Sequence, residues 1–277
     1  MKITNRLGLP QPLVDAVSRD PYISGQSDYS VTELLRPARQ VILEKTYKVD
    51  LEEDASDRIW SLMGQIVHGI FERADKDAVS EKRFYLTTEG KTISGQVDRY
   101  IDGLIQDYKV VTLYKFMNNK VPLEYEQQLN CYAALLRHNG YSVNKLQIVG
   151  ILRDWSKLEA MRERENGYPQ AQVLMLDVPL WTNEDALEFM RRKVFELKQA
   201  SVTPPLCSEE ERWAKPPVFA LMKEGRERAV KLYTNQKDAE NHASTDPSLR
   251  VQIRPSVSVR CESYCSVARF CTQRKSL

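Results

Sequence analysis

The sequence predicts an α/β fold, a mixed central sheet flanked by helices, with a small C-terminal module anchored by cysteines. Three observations carry this expectation. Apolar residues recur at helical spacing early and late in the first 205 residues, β-type runs with two-residue turns lie between them, and Cys261, Cys265 and Cys271 cluster near the end. The double proline Pro204-Pro205 divides a core, 1–205, from a module, 206–277.

In YSVTELLRPARQVILEK, Ser30 predicts an N-cap, with Glu33 three residues on completing a capping box, and Pro37 interrupting the helix. A longer helix follows from about Ser56 to Ala78, with Ile59, Leu62, Met63, Ile66, Ile70 and Phe71 in helical register. KRFYLTTEGKTISGQVDRYIDGLIQDYKVV then reads as strands separated by EGK and DG turns. EYEQQLNCYAALLRHNG returns to helix and closes on Asn139-Gly140. KLQIVGILRDW and AQVLMLDVPL read as strands, and NEDALEFMRRKVFELKQA as a helix opened by Asn183. Beyond Pro205 the chain is polar, with two short strands and a helix near 236–243 before the cysteines.

A chain of 277 residues with 42% hydrophobic and 28% charged residues suits an ordinary globular protein. No apolar run is long enough for a membrane span, and the N-terminus lacks the apolar segment of a secretory signal, so a cytoplasmic setting is expected. The net charge of +2 does not mark a nucleic-acid binder, although 251–277 carries Arg254, Arg260, Arg269, Arg274 and Lys275 against Glu262.

The stretch GQVDRYIDGLIQDYKV carries the chemistry. Asp102-Gly103 is a two-residue type I′ turn signal, so Ile101 faces Leu104, Tyr100 faces Ile105, Arg99 faces Gln106 and Asp98 faces Asp107. Opposed side chains share a face with Cβ atoms roughly 4.5–5.5 Å apart, and Lys109 points the same way. Facing carboxylates repel unless a cation compensates, and hard oxygen ligands suit Mg²⁺ or Mn²⁺. Lys109 would then orient or help deprotonate an attacking water, or stabilise charge on a phosphate oxygen. Taken alone, these residues are equally the charges of a solvated hairpin.

Their neighbours extend the pattern. GQIVH puts Gly64 and His68 one turn apart on the preceding helix, and YEQQLNCY puts Gln128 and Tyr132 one turn apart on the following one. In order, G-x3-H, G-x-V-D, D-Y-K and Q-x3-Y resemble the RecB-like branch of the PD-(D/E)XK nucleases, over Gly64 to Tyr132. The resemblance implies a restriction-endonuclease-like core in which His68, Asp98, Asp107 and the Tyr108 carbonyl bind Mg²⁺ or Mn²⁺. It implies that Lys109 assists the attacking water and that Gln128 and Tyr132 position Lys109 or the DNA. Glu72, one turn after His68, would support it from behind.

RCESYCSVARFC gives C-x3-C-x5-C. Many RecB-like nucleases hold a 4Fe–4S cluster on C-terminal cysteines in a C-x2-C-x5-C pattern, with a first ligand in the N-terminal helix. That helix has no cysteine here, so Cys207 is the candidate fourth thiolate beside Cys261, Cys265 and Cys271. Four thiolates suit a 4Fe–4S cluster or, alternatively, zinc, whereas Cys131 reads as a packed core thiol. RDWS at 153–156 and the RCESYC tail are similar to phage-encoded RecB-like exonucleases. Trp155 reads either as a base-stacking residue, with Arg153 on phosphate, or as a packing residue after a strand.

The expected activity is a metal-dependent DNA exonuclease acting on single strands or duplex ends in recombination, repair or replication. The alternatives are a CRISPR-adaptation-type nuclease and a non-catalytic nucleic-acid-binding module. No P-loop motif is present, so any helicase or recombination partner is a separate chain.

Overall fold

The computed structural model describes residues 1–19 and 25–276. Two compact units emerge: residues 1–42 with 48–204, and residues 43–47 with 205–277. No described helix is long and apolar enough to cross a membrane.

In the first unit the helices are α1 (Gln11–Ser18), α2 (Val31–Leu34), α3 (Ala38–Thr46, whose residues from 43 on belong to the second unit), α4 (Ile59–Ala74), α5 (Leu123–His138), α6 (Lys157–Arg162) and α7 (Asn183–Val202). The strands are β1 (Lys2–Thr4), β2 (Tyr29–Ser30), β3 (Glu52–Asp54), β4 (Val79–Thr88), β5 (Lys91–Ile101), β6 (Leu104–Val111), β7 (Lys145–Leu152) and β8 (Val173–Val178). Ser30 caps α2 in a full capping box with Glu33, and Pro37 separates α2 from α3 as expected. The cap of α7 is Thr182, one residue before the expected Asn183.

A mixed sheet runs β2-β5-β6-β7-β8, with β4 antiparallel to β5. β4, β5 and β6 form a meander, and α5 carries the chain over to β7, parallel to β6. Successive residues on a strand point to opposite faces. On β6, Tyr108 meets Phe71 of α4 in an edge contact at 4.7 Å, whereas the ammonium of Lys109 lies 5.2 Å from the Tyr125 ring of α5. The sheet is thus flanked by α4 on one face and α5 on the other.

The face under α5 is the core. Leu129 to Leu136 of α5 are all buried, against Phe84, Leu86, Ile93 and Val97. Gly95 is needed here, because a Cβ on it would sit 2.7 Å from both the Tyr132 ring and Leu135. α4 is different: none of its residues is fully buried, and Met63, Ile66 and Ile70 are 40%, 44% and 48% exposed. It ends at Ala74, four residues before the expected Ala78. There Asp75 takes the guanidinium of Arg99, whose Nη1 donates to Gln106 Oε1 at 2.7 Å. The row continues from Gln106 Nε2 to Gln147 Oε1 at 2.7 Å and from Gln147 Nε2 to Asp177 Oδ1 at 2.9 Å. These residues are ladder partners across β5 to β8, so one polar row locks the three registers of four strands and ties the end of α4 to them.

The second unit holds an antiparallel sheet in the order β11 (Lys231–Tyr233), β10 (Val218–Lys223), β12 (Leu249–Arg254), with α8 (Gln236–Ala243) packed on it. A two-stranded pair, β9 (Ala214–Lys215) with β13 (Val257–Ser258), leads into α9 (Val259–Ser263) and α10 (Thr272–Lys275). Within this unit Tyr47 stacks on Phe270 with centroids 4.2 Å apart, and Ser266 donates to Glu44.

Candidate metal centre

The Asp-Gly turn forms as the sequence requires. Asp102 and Gly103 both take positive φ, 47° and 84°, and the pairs Ile101–Leu104, Tyr100–Ile105 and Arg99–Gln106 follow. The expected fourth pair, Asp98 with Asp107, does not join the ladder. Beyond Arg99 and Gln106 the strands separate, because Asp98 Oδ2 takes the Tyr108 amide hydrogen at 2.7 Å in place of a backbone acceptor.

A cavity of about 640 Å³ opens beside this seam. His68, Asp98, Asp107, Lys109, Gln128 and Tyr132 all line it, so every side chain of the predicted site arrives in one place. His68 Nε2 lies 3.3 Å from the Tyr108 carbonyl oxygen, and Nδ1 lies 3.0 Å from Glu81 Oε1 and 3.5 Å from Asp98 Oδ1. Gln128 Nε2 donates to Tyr132 Oη at 2.8 Å, the one-turn contact their spacing predicts.

Glu81 is the residue the sequence reading missed. His68, Glu81 and Asp98 each offer a ligand atom, all within 4.8 Å of one another. Glu81 sits across β4 from Asp98, in left-handed backbone at φ 49°, and neither residue makes the ladder pair its register dictates. Gln96 Nε2 holds its second oxygen at 2.5 Å. The signal was available: Glu89-Gly90 is another two-residue turn with both φ positive, and counting back from it sets Glu81 opposite Asp98. Glu72 lines the cavity but makes no hydrogen bond to His68; Glu81 takes that place.

Charge is the problem this arrangement poses. Asp107 is 1% exposed and neither carboxylate oxygen receives a hydrogen bond. Lys109 Nζ lies 2.6 Å from Asp107 Oδ2, an ion-pair contact without hydrogen-bond geometry. Burial, then repulsion from Asp107, pushes the Asp98 carboxyl up to about 7, against the pull of His68, Lys109 and the Tyr108 amide. Burial works against protonation of His68. The hydrogen bond to Glu81 and the charges of Asp98, Glu81 and Asp107 outweigh it and raise the ring to about 9. Desolvation likewise opposes the charged form of Lys109, yet Asp107 and Asp98 hold its ammonium above the usual value. Among the described residues, His68, Glu81 and Asp98 are the group that could hold a metal ion, and Asp107 lines the same cavity outside that group.

Of the two readings of Trp155, the structure favours packing over base stacking. Its ring is half-buried against the core and Nε1 donates to the Pro169 carbonyl at 2.8 Å, so the indole is a packing element. Arg153 instead stacks on Trp60, at 3.6 Å from the ring centroid.

In the second unit, Cys207, Cys261, Cys265 and Cys271 are unbridged and near enough to act on one another electrostatically, but no three of their sulfurs lie within 4.8 Å of one another. Burial, then Glu211 and the facing Cys271, Cys261 and Cys265, pushes the Cys207 thiol up to about 11. Burial also raises Cys261 and Cys265. Gln273 clamps Cys207 through two backbone bonds of 2.8 Å each. Cys131 is a core thiol, raised to about 12 by burial.

No protein-family model and no curated protein sequence matches the chain. Among solved structures it is similar to the crystal structure of SSO0001, at 17% identity over 73% of this chain and 89% of that one, with a TM-score of 0.49. That likeness is too distant to carry an argument about function.

Proposed function

We propose that the chain is a Mg²⁺- or Mn²⁺-dependent deoxyribonuclease with a RecB-like PD-(D/E)XK core, an exonuclease for single-stranded DNA or duplex ends. The observation that carries the reading is the gathering of Asp98, Asp107, Glu81 and Glu72 with His68 around one cavity that, among the described residues, a single lysine, Lys109, lines. Carboxylates that share a buried space repel, and a bound cation beyond Lys109 relieves this. His68, Asp98, Asp107, Glu81 and the Tyr108 carbonyl would hold the ion. When bound, it supplies charge neutralisation at the scissile phosphate and lowers the pKa of water. Lys109, kept charged beside Asp107, directs the attacking water and offsets charge on the phosphate oxygens. Gln128 and Tyr132 fix the wall of the cavity on which the DNA strand rests.

The four cysteines of 207–277 are read as a 4Fe–4S site, with zinc as the alternative, that staples this module. Four neighbouring cysteines would repel one another as thiolates, and a bound cation or cluster would relieve this. A role in DNA recombination, repair or replication, in a phage or its bacterial host cytoplasm, with any helicase as a separate chain, accompanies this reading.

Digestion of 5′- and 3′-labelled single-stranded and duplex DNA with Mg²⁺ or Mn²⁺ tests the nuclease. Asp107→Ala and Lys109→Ala should abolish cleavage and leave the circular dichroism spectrum unchanged. Wild-type rates in either variant would reject the assignment. Protein purified anaerobically should carry stoichiometric iron or zinc that Cys207→Ser loses; metal-free thiols in the parent would reject the cysteine site.

A further inference from the structure

The cavity has an unassigned rim. Trp60, in the first turn of α4, is 60% exposed, and the next residue, Ser61, lines the cavity. The guanidinium of Arg153 stacks 3.6 Å from the centre of its indole and forms no ion pair among the described residues. One face of the indole is thus backed by a cation, and the exposure leaves the other open. Asp154, beside Arg153, accepts from the Leu113 amide at 2.7 Å and draws the 113–119 turn, with Tyr114 80% exposed, to the same edge of the sheet.

Between Trp60 and the ligand cluster, α4 is deliberately thin. Gly64 is one turn after Trp60, and both Gly64 and Gly69 line the cavity with nothing within 4 Å of where a Cβ would be. Glycine inside a helix costs about 1 kcal/mol relative to alanine, and no protein atom here requires it. The space it leaves belongs to the cavity, which the buried Asp107 carboxylate and its ion-pair partner Lys109 also line.

We propose that Trp60, braced by Arg153, is the base-stacking platform of this site, and that it selects a single strand. The inference rests on the nuclease reading above and names its substrate. An aromatic platform engages any base whose face is free, whatever the sequence. A phosphate can reach a carboxylate 1% exposed only if its strand enters the cavity, which a paired strand obstructs. A volume of about 640 Å³ suits a nucleotide-sized group rather than a duplex. The strand backbone would pass the open faces of Gly64 and Gly69 while a base stacks on Trp60.

The test is fluorescence-anisotropy titration of the full chain carrying Asp107→Asn, which halts turnover, with a labelled single-stranded oligonucleotide and its blunt duplex. The single strand should bind more tightly than the duplex. Trp60→Ala should weaken single-strand binding about tenfold, whereas Trp60→Phe, which keeps an aromatic face, should stay near the parent. An oligonucleotide bearing abasic sites should lose the dependence on Trp60. Equal affinity of Trp60→Ala and parent, or preference for the duplex, overturns the proposal while cleavage by the unmutated chain leaves the nuclease reading standing. A chain that neither binds nor cleaves any oligonucleotide overturns both.

Discussion

The Tyr108 amide donates to Asp98 Oδ2 at 2.7 Å, and the Tyr108 carbonyl faces His68 Nε2 at 3.3 Å. One peptide neighbourhood thus fixes a carboxylate, a carbonyl and an imidazole relative to one another. Asp98→Asn retains an acceptor for the amide, whereas Asp98→Ala strands a donor, at a cost of about 1–3 kcal/mol. We expect both variants to lose the rise in melting temperature that Mn²⁺ gives the parent, and only Asp98→Ala to lose urea stability of that size. An undiminished Mn²⁺ response in Asp98→Asn would remove Asp98 from the ligand set.

Glu81 should matter for the metal rather than for the fold. Its left-handed backbone and the hydrogen bond to His68 place it either as a ligand or directly behind one. Glu81→Gln is expected to weaken Mn²⁺ binding by about 10–100-fold, measured by isothermal titration calorimetry. Affinity within twofold of the parent would count against it.

How far the site was legible turns on this pair of hairpins. Asp102-Gly103 announced its turn type, so three ladder pairs could be counted, and Asp98, Asp107 and Lys109 came with them. What counting could not show was the parting of β5 from β6, since that depends on a side chain replacing a backbone acceptor. Glu81 was within reach of the same arithmetic through Glu89-Gly90. The contrast between Trp60 and Trp155 was not: one opens α4 and the other follows β7, and only tertiary packing half-buries one indole and leaves the other 60% exposed. The helical period of α4 was likewise readable, but its exposed Met63, Ile66 and Ile70 were not, because periodicity reports amphipathicity and not burial.

Gly95 places the core against the site. A methyl group there would meet the Tyr132 ring and Leu135 at 2.7 Å, so Gly95→Ala forces α5 and β5 apart. The expected loss is about 1–3 kcal/mol in urea denaturation, with displacement of the Gln128–Tyr132 pair from the cavity wall. The double variant Gly95→Ala, Leu135→Ala should lose less than the sum of its two single variants. Unchanged stability in the single variant would mean the helix yields freely.

Asp54 governs the acid response of the N-terminal segment. Its carboxylate takes Arg6 N at 2.9 Å, Thr4 Oγ1 at 2.8 Å and Ser56 Oγ at 2.7 Å. These bonds, the Arg6 amide first, hold its pKa well below the ordinary carboxylate value. A depressed carboxyl stabilises the folded chain fully above the unfolded pKa of about 3.9, and loses that contribution as pH falls toward the folded value. Asp54→Asn should therefore be less stable than the parent at neutral pH, with the gap constant down to about pH 5 and narrowing below about pH 4. Urea midpoints across that range measure it; a gap that persists in acid would contradict the linkage.

The two turns Glu89-Gly90 and Asp102-Gly103 also act as counters. Because β5 is shared, the positions of Glu81 and Asp107 are both measured from Asp98 through a fixed number of residues. One residue added to either strand flank would present the wrong face and dismantle the cluster at a stroke. Length variation is therefore barred from this meander, whereas the link from β7 to β8, residues 153–172, can absorb it, since α6 already forms an excursion outside the sheet there.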